Sequence, residues 1–186
     1  MARVDWMKIE KYLFILALFL FAVIFFSSFV GKNLNKMEEE STIFSTNFTK
    51  VEVDTKGFIE TKVSVDSIFL DKAQISLRAG CYLIKATTDA CVGEAILKGI
   101  ERKVDFRPSV YDVIADTFRS LGIEVLALKI VEMRNNTFIG QLVVQQNNKV
   151  LFLDIRPSDG TAIAVRFNSP IYINESLAKE VGEYVC

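Results

Sequence analysis

Two patterns of hydrophobic residues divide the chain. From Tyr12 to Val30, 19 residues follow one another without a charge, a proline or a glycine. As a helix this run would be about 28 Å long at about 1.5 Å per residue, close to the hydrocarbon thickness of a bilayer. After residue 50, apolar residues alternate with polar ones or recur at helical spacing, which is typical of a folded domain with a solvated surface. The sequence therefore predicts one transmembrane helix followed by one domain.

Two other interpretations of the apolar run are a cleaved signal peptide and a buried helix of a water-soluble protein. A signal peptide has a shorter apolar core, about 7 to 15 residues, followed by small residues that Phe29-Val30-Gly31-Lys32 does not supply. A buried helix usually keeps a polar face, whereas the polar residues of this run are Ser27 and Ser28. The favoured organisation is a short segment at 1–11, the span at 12–30, a polar stalk at 31–50 and a domain at 51–186.

The positive charges that flank the predicted span bear on its orientation. Three of them, Arg3, Lys8 and Lys11, precede the span, and two, Lys32 and Lys36, follow it. Because loops rich in lysine and arginine tend to stay in the cytoplasm, this count slightly favours a domain on the non-cytoplasmic side. A difference of one charge leaves both orientations open.

Strand and helix patterns alternate irregularly in the domain. The predicted strands are a pair within Val51–Leu70 interrupted at Gly57, a short strand Gln74–Leu77, a central strand Gly80–Thr87, an antiparallel meander of Ile123–Met133, Phe138–Gln146 and Lys149–Ile155, and a short strand Ile171–Ile173. The predicted helices run from Ala90 to about Arg102, with Ala95, Ile96 and Ile100 buried, from a Ser109–Asp112 capping pair to Gly122, and over Thr161–Phe167 and Glu175–Val181. This order predicts an α+β fold with a mixed or antiparallel sheet and packed helices.

Composition and charge exclude several classes of site. The chain contains no histidine, which removes Ser-His-Asp and Cys-His catalysis, histidine metal ligands and a histidine general base. Residues 31–186 carry 19 Lys and Arg against 21 Asp and Glu, which excludes a uniformly basic nucleic-acid binder but permits a local basic site.

Cys81, Cys91 and Cys186 lack the close spacing of a zinc or redox site. A Cys81–Cys91 disulfide is disfavoured, because the predicted strand carries the chain roughly 20 Å from Cys81 and a disulfide needs Cα atoms within about 7 Å.

The most specific motif is the run Asp154-Ile155-Arg156-Pro157-Ser158-Asp159. Further characteristic residues are Arg107-Pro108, Asp112, Asn136-Thr137-Phe138, Ala162, Ala164, Arg166 and Pro170-Ile171-Tyr172. Together these residues resemble the bifunctional nuclease domain family, formerly a domain of unknown function, over about residues 77–175. The resemblance implies a compact α+β fold, a homo-oligomer, and nuclease activity on RNA and DNA.

The chain departs from the family pattern at three places. The family usually has Thr-His-Asp where this chain has Val110-Tyr111-Asp112, an acidic residue where Val92 stands, and alanine where Gly160 stands. If that histidine or acid takes part in the family's chemistry, this chain would be a binding or inactive form.

Residues of the motif have the types that phosphodiester hydrolysis requires. Without histidine, the reaction needs a carboxylate or a metal-bound water as base, and cations on the phosphate. Asp154, Ser158 and Asp159 are the predicted catalytic residues, and Asp154 and Asp159 could hold a divalent metal such as Mg²⁺. Arg156 and Arg166 are the predicted phosphate ligands. Arg166 lies about two helical turns after Asp159 and would therefore lie on the same face of the helix. The backbone N–H groups at the helix N-terminus would also favour an anion.

Structural roles compete with each of these assignments. Ser158 or Asp159 could cap the helix, and Asp154 could pair with Arg156. Glu94 and Asp89 could complete a carboxylate cluster that binds Mg²⁺, but the favoured interpretation is that Asp89 caps a helix and Glu94 pairs with Lys98. The basic stretch of Lys98, Arg102, Lys103 and Arg107 could track nucleic acid or simply complement a helix dipole. Two hypotheses therefore remain: a membrane-anchored nuclease-like domain acting on nucleic acid, and a non-enzymatic, membrane-tethered interaction module.

Overall fold

The computed structural model describes residues 51–186, so the predicted transmembrane helix and stalk lie outside the described residues. The strands are β1 (Phe58–Phe69), β2 (Lys72–Ala79), β3 (Tyr82–Asp89), β4 (Ile123–Arg134), β5 (Thr137–Gln146), β6 (Lys149–Ile155), β7 (Ile171–Asn174) and β8 (Glu183–Tyr184). The helices are α1 (Ala90–Glu101), α2 (Val110–Ser120), α3 (Pro157–Phe167) and α4 (Glu175–Val181). Within 51–186, no helix is long and apolar enough to cross a bilayer.

All these strands form one mixed sheet in the order β6-β5-β4-β7-β1-β2-β3-β8. Strands β4 and β7 pair in parallel, and the other neighbours pair antiparallel. The hairpins β4–β5 and β5–β6 turn at Asn135, Asn136 and Asn147, which adopt the positive φ that asparagine tolerates. For the described residues, the predicted α+β fold and its three-stranded meander are confirmed.

The helices pack on the same face of the sheet, which we call the helix-covered face. In β2, the alternate residues Ala73, Ile75, Leu77 and Ala79 are buried and therefore point to one side. Ala73 and Ile75 pack with residues of α1 and α3, whereas Leu77 and Ala79 pack with residues of α4. Helices α2 and α3 cover the part of the same face that β4, β5 and β7 form. The core thus lies between one sheet and one layer of helices.

Two predictions about the strands are wrong. Val51–Leu70 does not form a strand pair, because Gly57 lies before β1 and the next 12 residues make a single strand. The predicted central strand, Gly80–Thr87, corresponds to β3, which lies next to the outermost strand β8. The apolar residues of β3 are covered by α4 and by the segment that follows α4. These elements lie far from β3 in the sequence, so local patterns did not indicate the contact.

Two details of the helices also differ from the prediction. Helix α3 begins at Pro157 and not at Thr161, because proline fits the first turn of a helix, where its missing N–H is not needed. On α1, Ala95 and Ile96 are buried as predicted, but Ile100 is 42% exposed and borders a surface depression. The predicted capping box of α2 is confirmed, since Ser109 and Asp112 bond to each other's backbone N–H groups.

Candidate functional site

A cleft of about 520 Å³ opens on the helix-covered face, beside the start of α3. Its floor is made of buried apolar side chains of the sheet, among them Leu77, Ile130 and Ile173. Its polar rim comes from four places in the chain: the start of β2, the end of β3, the β4–β5 turn and the first turn of α3. The polar groups of the rim are Lys72, Thr87, Thr88, Asp89, Asn136, Thr137, Arg156 and Ser158. An apolar pocket with a few convergent polar groups is the usual form of a ligand site.

The start of α3 reaches the sheet because β5 has a glycine at the contact. A Cβ on Gly140 would lie 2.7 Å from the carbonyl oxygen of Ile155 and 3.2 Å from Cα of Pro157. A contact of 2.7 Å is shorter than real Cβ atoms show, so the close approach of α3 to β5 requires glycine. This approach places Arg156 and Ser158 at the mouth of the cleft.

Arg156 is held in position by Asp159, one turn further along. Nε of Arg156 donates to Oδ2 of Asp159 at 2.6 Å, and Nη2 donates to Oδ1 at 3.3 Å. The Tyr111 hydroxyl of α2 donates to Oδ1 of Asp159 at 2.6 Å. Both oxygens of Asp159 are therefore engaged, while the Arg156 side chain remains 64% exposed at the rim. The arrangement fixes a guanidinium in a side-on geometry next to a cleft.

The protonation states follow from these contacts. Burial alone would raise the pKa of Asp159, but the hydrogen bonds from Arg156 and Tyr111 outweigh it and hold the pKa below the usual range. Burial and the hydrogen bond to Asp159 raise the pKa of Tyr111 well above that of a free phenol. At neutral pH, Asp159 is thus a carboxylate that accepts, and Tyr111 is a neutral phenol that donates.

The first turn of α3 offers additional donors. Arg156 occupies the N-cap position and provides no side-chain cap, and Pro157 follows at the first helical position. The backbone N–H groups of Ser158 and Asp159 come next, where a helix has no internal acceptor for them. A partial positive charge accompanies these groups at a helix start. Neither Ser158 nor Asp159 caps the helix, and Ser158 is half-buried in the wall of the cleft.

Arg166 has a different environment, at the last turn of α3. Its Nε donates to Oδ1 of Asp112 at 2.7 Å, and the exposed fractions of the two side chains are 6% and 9%. Its Nη1 donates to the carbonyl oxygens of Ala95 at 2.9 Å and Ala162 at 2.6 Å. Oδ2 of Asp112 accepts from the Ser109 hydroxyl at 2.7 Å and its N–H at 2.8 Å. Arg166 therefore joins α1, α2 and α3, and in this position its guanidinium does not reach the cleft rim.

Asp154 and Asp159 are not brought together. Ile155 packs in the core on the helix-covered face, so its neighbour Asp154 points to the opposite face of β6. Asp154 is exposed there, opposite Gln141 in the register of β5. The structure thus separates the two carboxylates predicted to share a metal. The Mg²⁺ site predicted from Asp154 and Asp159 is therefore not formed, and among residues 51–186 no group of three or more acidic or cysteine side chains is placed to hold a metal ion.

Several of the remaining acidic and basic candidates form surface ion pairs. Lys98 donates to Glu94 at 2.6 Å, which confirms the pairing favoured from the sequence. Asp89 precedes α1 but its side chain makes no capping hydrogen bond; it pairs with Lys72 at 3.1 Å and lies 4.0 Å from Nη1 of Arg156. The predicted capping role of Asp89 is therefore wrong, and its carboxylate lines the cleft. Within the basic stretch, Lys103 pairs with Glu101.

Two features of this part of the molecule were not predicted from the sequence. Tyr111 contacts Asp159 across 48 residues, and the signal that could have singled it out was its position where the family usually has histidine. The second feature is a disulfide between Cys81 and Cys186, whose sequence separation of 105 residues gives no local signal. Cys91 is a free, exposed thiol.

The chain is similar in sequence to members of a known protein family. The profile of the bifunctional nuclease domain matches residues 83–185. An uncharacterized protein of Mycobacterium tuberculosis is 37% identical over 76 residues, which are 41% of this chain and 44% of that protein. Bifunctional nuclease 1 of Arabidopsis thaliana is 30% identical and bifunctional nuclease 2 of Oryza sativa subsp. japonica is 32% identical, each over 79 residues, or 41% of this chain and 24% of the plant protein.

The matched segment spans less than half the length of each of these relatives. The profile match includes β3 from Leu83 onward, the whole meander and the first turn of α3, which supply every polar group of the cleft rim except Lys72. The resemblance predicted over about 77–175 is confirmed with slightly later bounds. Since the profile covers more than half of the 186 residues, the chain belongs to the bifunctional nuclease domain family.

Proposed function

We propose that this domain binds nucleic acid at the mouth of the cleft and hydrolyses its phosphodiester bonds, held at a membrane by residues 12–30. The observation that carries the proposal is the Arg156 guanidinium, fixed side-on by Asp159 beside the uncapped first turn of α3. A guanidinium and free helix N–H groups are the donors that a phosphate prefers. Family membership supports the same substrate class.

The side chains of the rim have distinct roles in this proposal. Arg156 and the N–H groups of Ser158 and Asp159 bind the non-bridging oxygens of the phosphate. The Ser158 hydroxyl donates a further hydrogen bond from the cleft wall. Asp159 orients Arg156 and is not the base, because both of its oxygens already accept hydrogen bonds. Asp89 is the carboxylate of the described cleft lining and is the proposed acceptor of a proton from the attacking water.

The roles predicted for Asp154 and Arg166 do not enter this arrangement. Asp154 lies on the other face of the sheet, and Arg166 is occupied by Asp112 and two carbonyl oxygens. No step is assigned to a metal ion. An added divalent ion is instead a variable of the test.

The test uses the detergent-solubilised full-length protein and end-labelled RNA and single-stranded DNA, with and without Mg²⁺ or Mn²⁺. We expect Arg156→Ala and Asp89→Asn to abolish cleavage, and Asp154→Asn to leave it unchanged. Arg134→Ala is the matched control, because Arg134 is also an exposed arginine paired with a carboxylate, Glu132. Full activity in Arg156→Ala would contradict the proposed phosphate site.

The second candidate function is a non-enzymatic binding module. It is favoured by Tyr111, which stands at the family's usual histidine and keeps its proton as a donor to Asp159. In this case wild-type protein would retain labelled RNA in a filter-binding assay, Arg156→Ala would not, and no condition would produce cleavage. Cleavage that depends on Arg156 and Asp89 would rule out this alternative.

Membrane attachment and self-association are proposals too. The span at 12–30 predicts that the full-length protein sediments with membranes in carbonate buffer and that removal of residues 1–30 releases it. Self-association has a candidate surface at the edge strand β6, where Leu151, Phe152 and Leu153 are exposed. Light scattering of wild-type protein and of Phe152→Lys tests whether this edge joins two copies.

A further inference from the structure

The disulfide between Cys81 and Cys186 joins the β2–β3 turn to the segment that follows α4. The two Cα atoms are 5.1 Å apart, within the range that a disulfide requires. Contacts other than the sulfur bond bring them together. The N–H of Val185 donates to the carbonyl oxygen of Cys81 at 2.8 Å, and β8 pairs with β3. The rings of Tyr82 and Tyr184 also meet edge to face, with centroids 5.7 Å apart.

Cysteine pairs of this kind persist in oxidising compartments and are rare where cytosolic thiols keep proteins reduced. We infer that Cys81 and Cys186 are oxidised in the working protein and that residues 51–186 lie on the non-cytoplasmic side of the membrane. The three positive charges before the span and the two after it point the same way. The location depends on the proposed span, but the inference is independent of nuclease activity.

The chemistry of bond formation requires an oxidant in that compartment. The thiolate of one cysteine attacks a disulfide of a thiol oxidoreductase, which forms a mixed disulfide and releases one thiolate of the oxidant. The second cysteine of this chain then displaces the oxidant. In total, Cys81 and Cys186 lose two protons and two electrons, and the oxidant's disulfide becomes a dithiol. Cys91, exposed on α1 at the far end of β3 from Cys81, stays a thiol.

The bond also bears on the cleft. Leu177 and Ala178 of α4 pack against Leu77, Ile130 and Ile173, and these three residues form part of the cleft floor. The disulfide fastens the segment that follows α4 to the sheet edge. Reduction is therefore expected to loosen α4 before it affects the meander, because α4 and β8 are the elements held at this edge.

Thiol trapping tests the oxidation state in cells that express the full-length protein. Cells are quenched with acid, denatured, and treated with a maleimide that adds a visible mass to each free thiol. Of the three cysteines of the chain, we expect one to react before reduction and three after it. The control Cys91→Ser should give none before reduction and two after it, and Cys186→Ser should give two before reduction. Three reactive thiols in unreduced wild-type protein would overturn the inference.

Membrane vesicles of defined sidedness test the location separately. Cys91 is exposed, so a membrane-impermeant maleimide reports which side it faces. Labelling is expected in right-side-out vesicles and not in inside-out vesicles until detergent is added. The reverse pattern would place the domain in the cytoplasm and overturn the location even if the thiols are oxidised. Neither outcome depends on whether RNA is cleaved, so failure of the nuclease proposal would be recognised separately.

Discussion

The two ends of α3 contain the same pair of ionic groups in different settings. At the first turn, Arg156 and Asp159 have side chains that are 64% and 20% exposed, and the guanidinium borders the cleft. At the last turn, Arg166 and the Asp112 of α2 are 6% and 9% exposed. Exposure decides what each arginine can do. The Arg156 guanidinium remains accessible to a ligand, whereas the Arg166 guanidinium is buried and joins three helices.

The buried pair is also the less tolerant of change. Nη2 of Arg166 is buried and has no hydrogen-bond partner among the described residues. A buried guanidinium that is already short of one acceptor depends strongly on the carboxylate that remains.

Asp112→Ala is expected to cost about 3 to 5 kcal/mol of unfolding free energy, because it leaves the buried charge of Arg166 uncompensated. Urea unfolding followed by circular dichroism measures the loss. The double variant Asp112→Ala/Arg166→Met removes both charges and should recover part of the stability. If the double variant is as unstable as the sum of the two single variants, the pair does not act as a unit.

Arg156→Ala is expected to change unfolding free energy by no more than about 1 kcal/mol, because exposed ion pairs contribute little. Its effect should appear in binding, as a loss of about tenfold or more in affinity for single-stranded RNA, measured by fluorescence anisotropy. Arg156→Lys keeps the charge but loses the side-on geometry, and should recover only part of the affinity. A large loss of stability with normal RNA binding would contradict this prediction, because Arg156 would then have a structural role like that of Arg166.

The buried pair should also shape the acid side of the stability curve. Burial would raise the pKa of Asp112, but hydrogen bonds from Ser109 and Arg166 lower it below its ordinary value of 3.8. A depressed folded-state pKa supplies stability that is complete above the ordinary value and is lost as pH falls through the folded value. Stability should therefore fall below about pH 4, and Asp112→Asn should flatten this part of the curve. An unchanged acid limb in Asp112→Asn would contradict the assignment.

Tyr111→Phe should have the smallest effect, about 1 kcal/mol or less, because it removes one hydrogen bond to Asp159 and keeps the ring. Asp159 would retain its bond to Arg156, so RNA affinity should fall only slightly. Wild-type protein should lose stability above about pH 10, where the phenol ionises in the unfolded chain but not in the fold. Tyr111→Phe should lack this loss in pH-dependent thermal unfolding.

Some local signals predicted the structure correctly, although the capping role of Asp89 and the strand pair in Val51–Leu70 were wrong. The capping box of Ser109 and Asp112, the positive φ of Gly122 after α2 and the asparagine turns all depend on residues within one turn of each other. Helical spacing also predicted the direction of two side chains of α3. Asp159 and Arg166, about two turns apart, both meet α2, at Tyr111 and Asp112.

The burial of side chains and the contacts between residues far apart in sequence could not be predicted from local patterns. Spacing indicates the side of a helix on which Arg166 lies, but its burial depends on where α1 and α2 pack. Asp154 precedes Arg156 by two residues, yet the alternation of β6 sends its carboxylate to the other face. The Cys81–Cys186 bond requires β8 to pair with β3. No local pattern in the sequence predicts this pairing.

Gly140 has a consequence for redesigning this domain. A side chain at position 140 would clash with the carbonyl oxygen of Ile155, so any residue larger than glycine would displace the start of α3 from the sheet and misplace Arg156. Libraries meant to alter ligand preference should keep position 140 fixed. The variable position belongs at Thr137, which borders the same opening, whereas Asn136 has a positive φ that asparagine tolerates and most other residues do not.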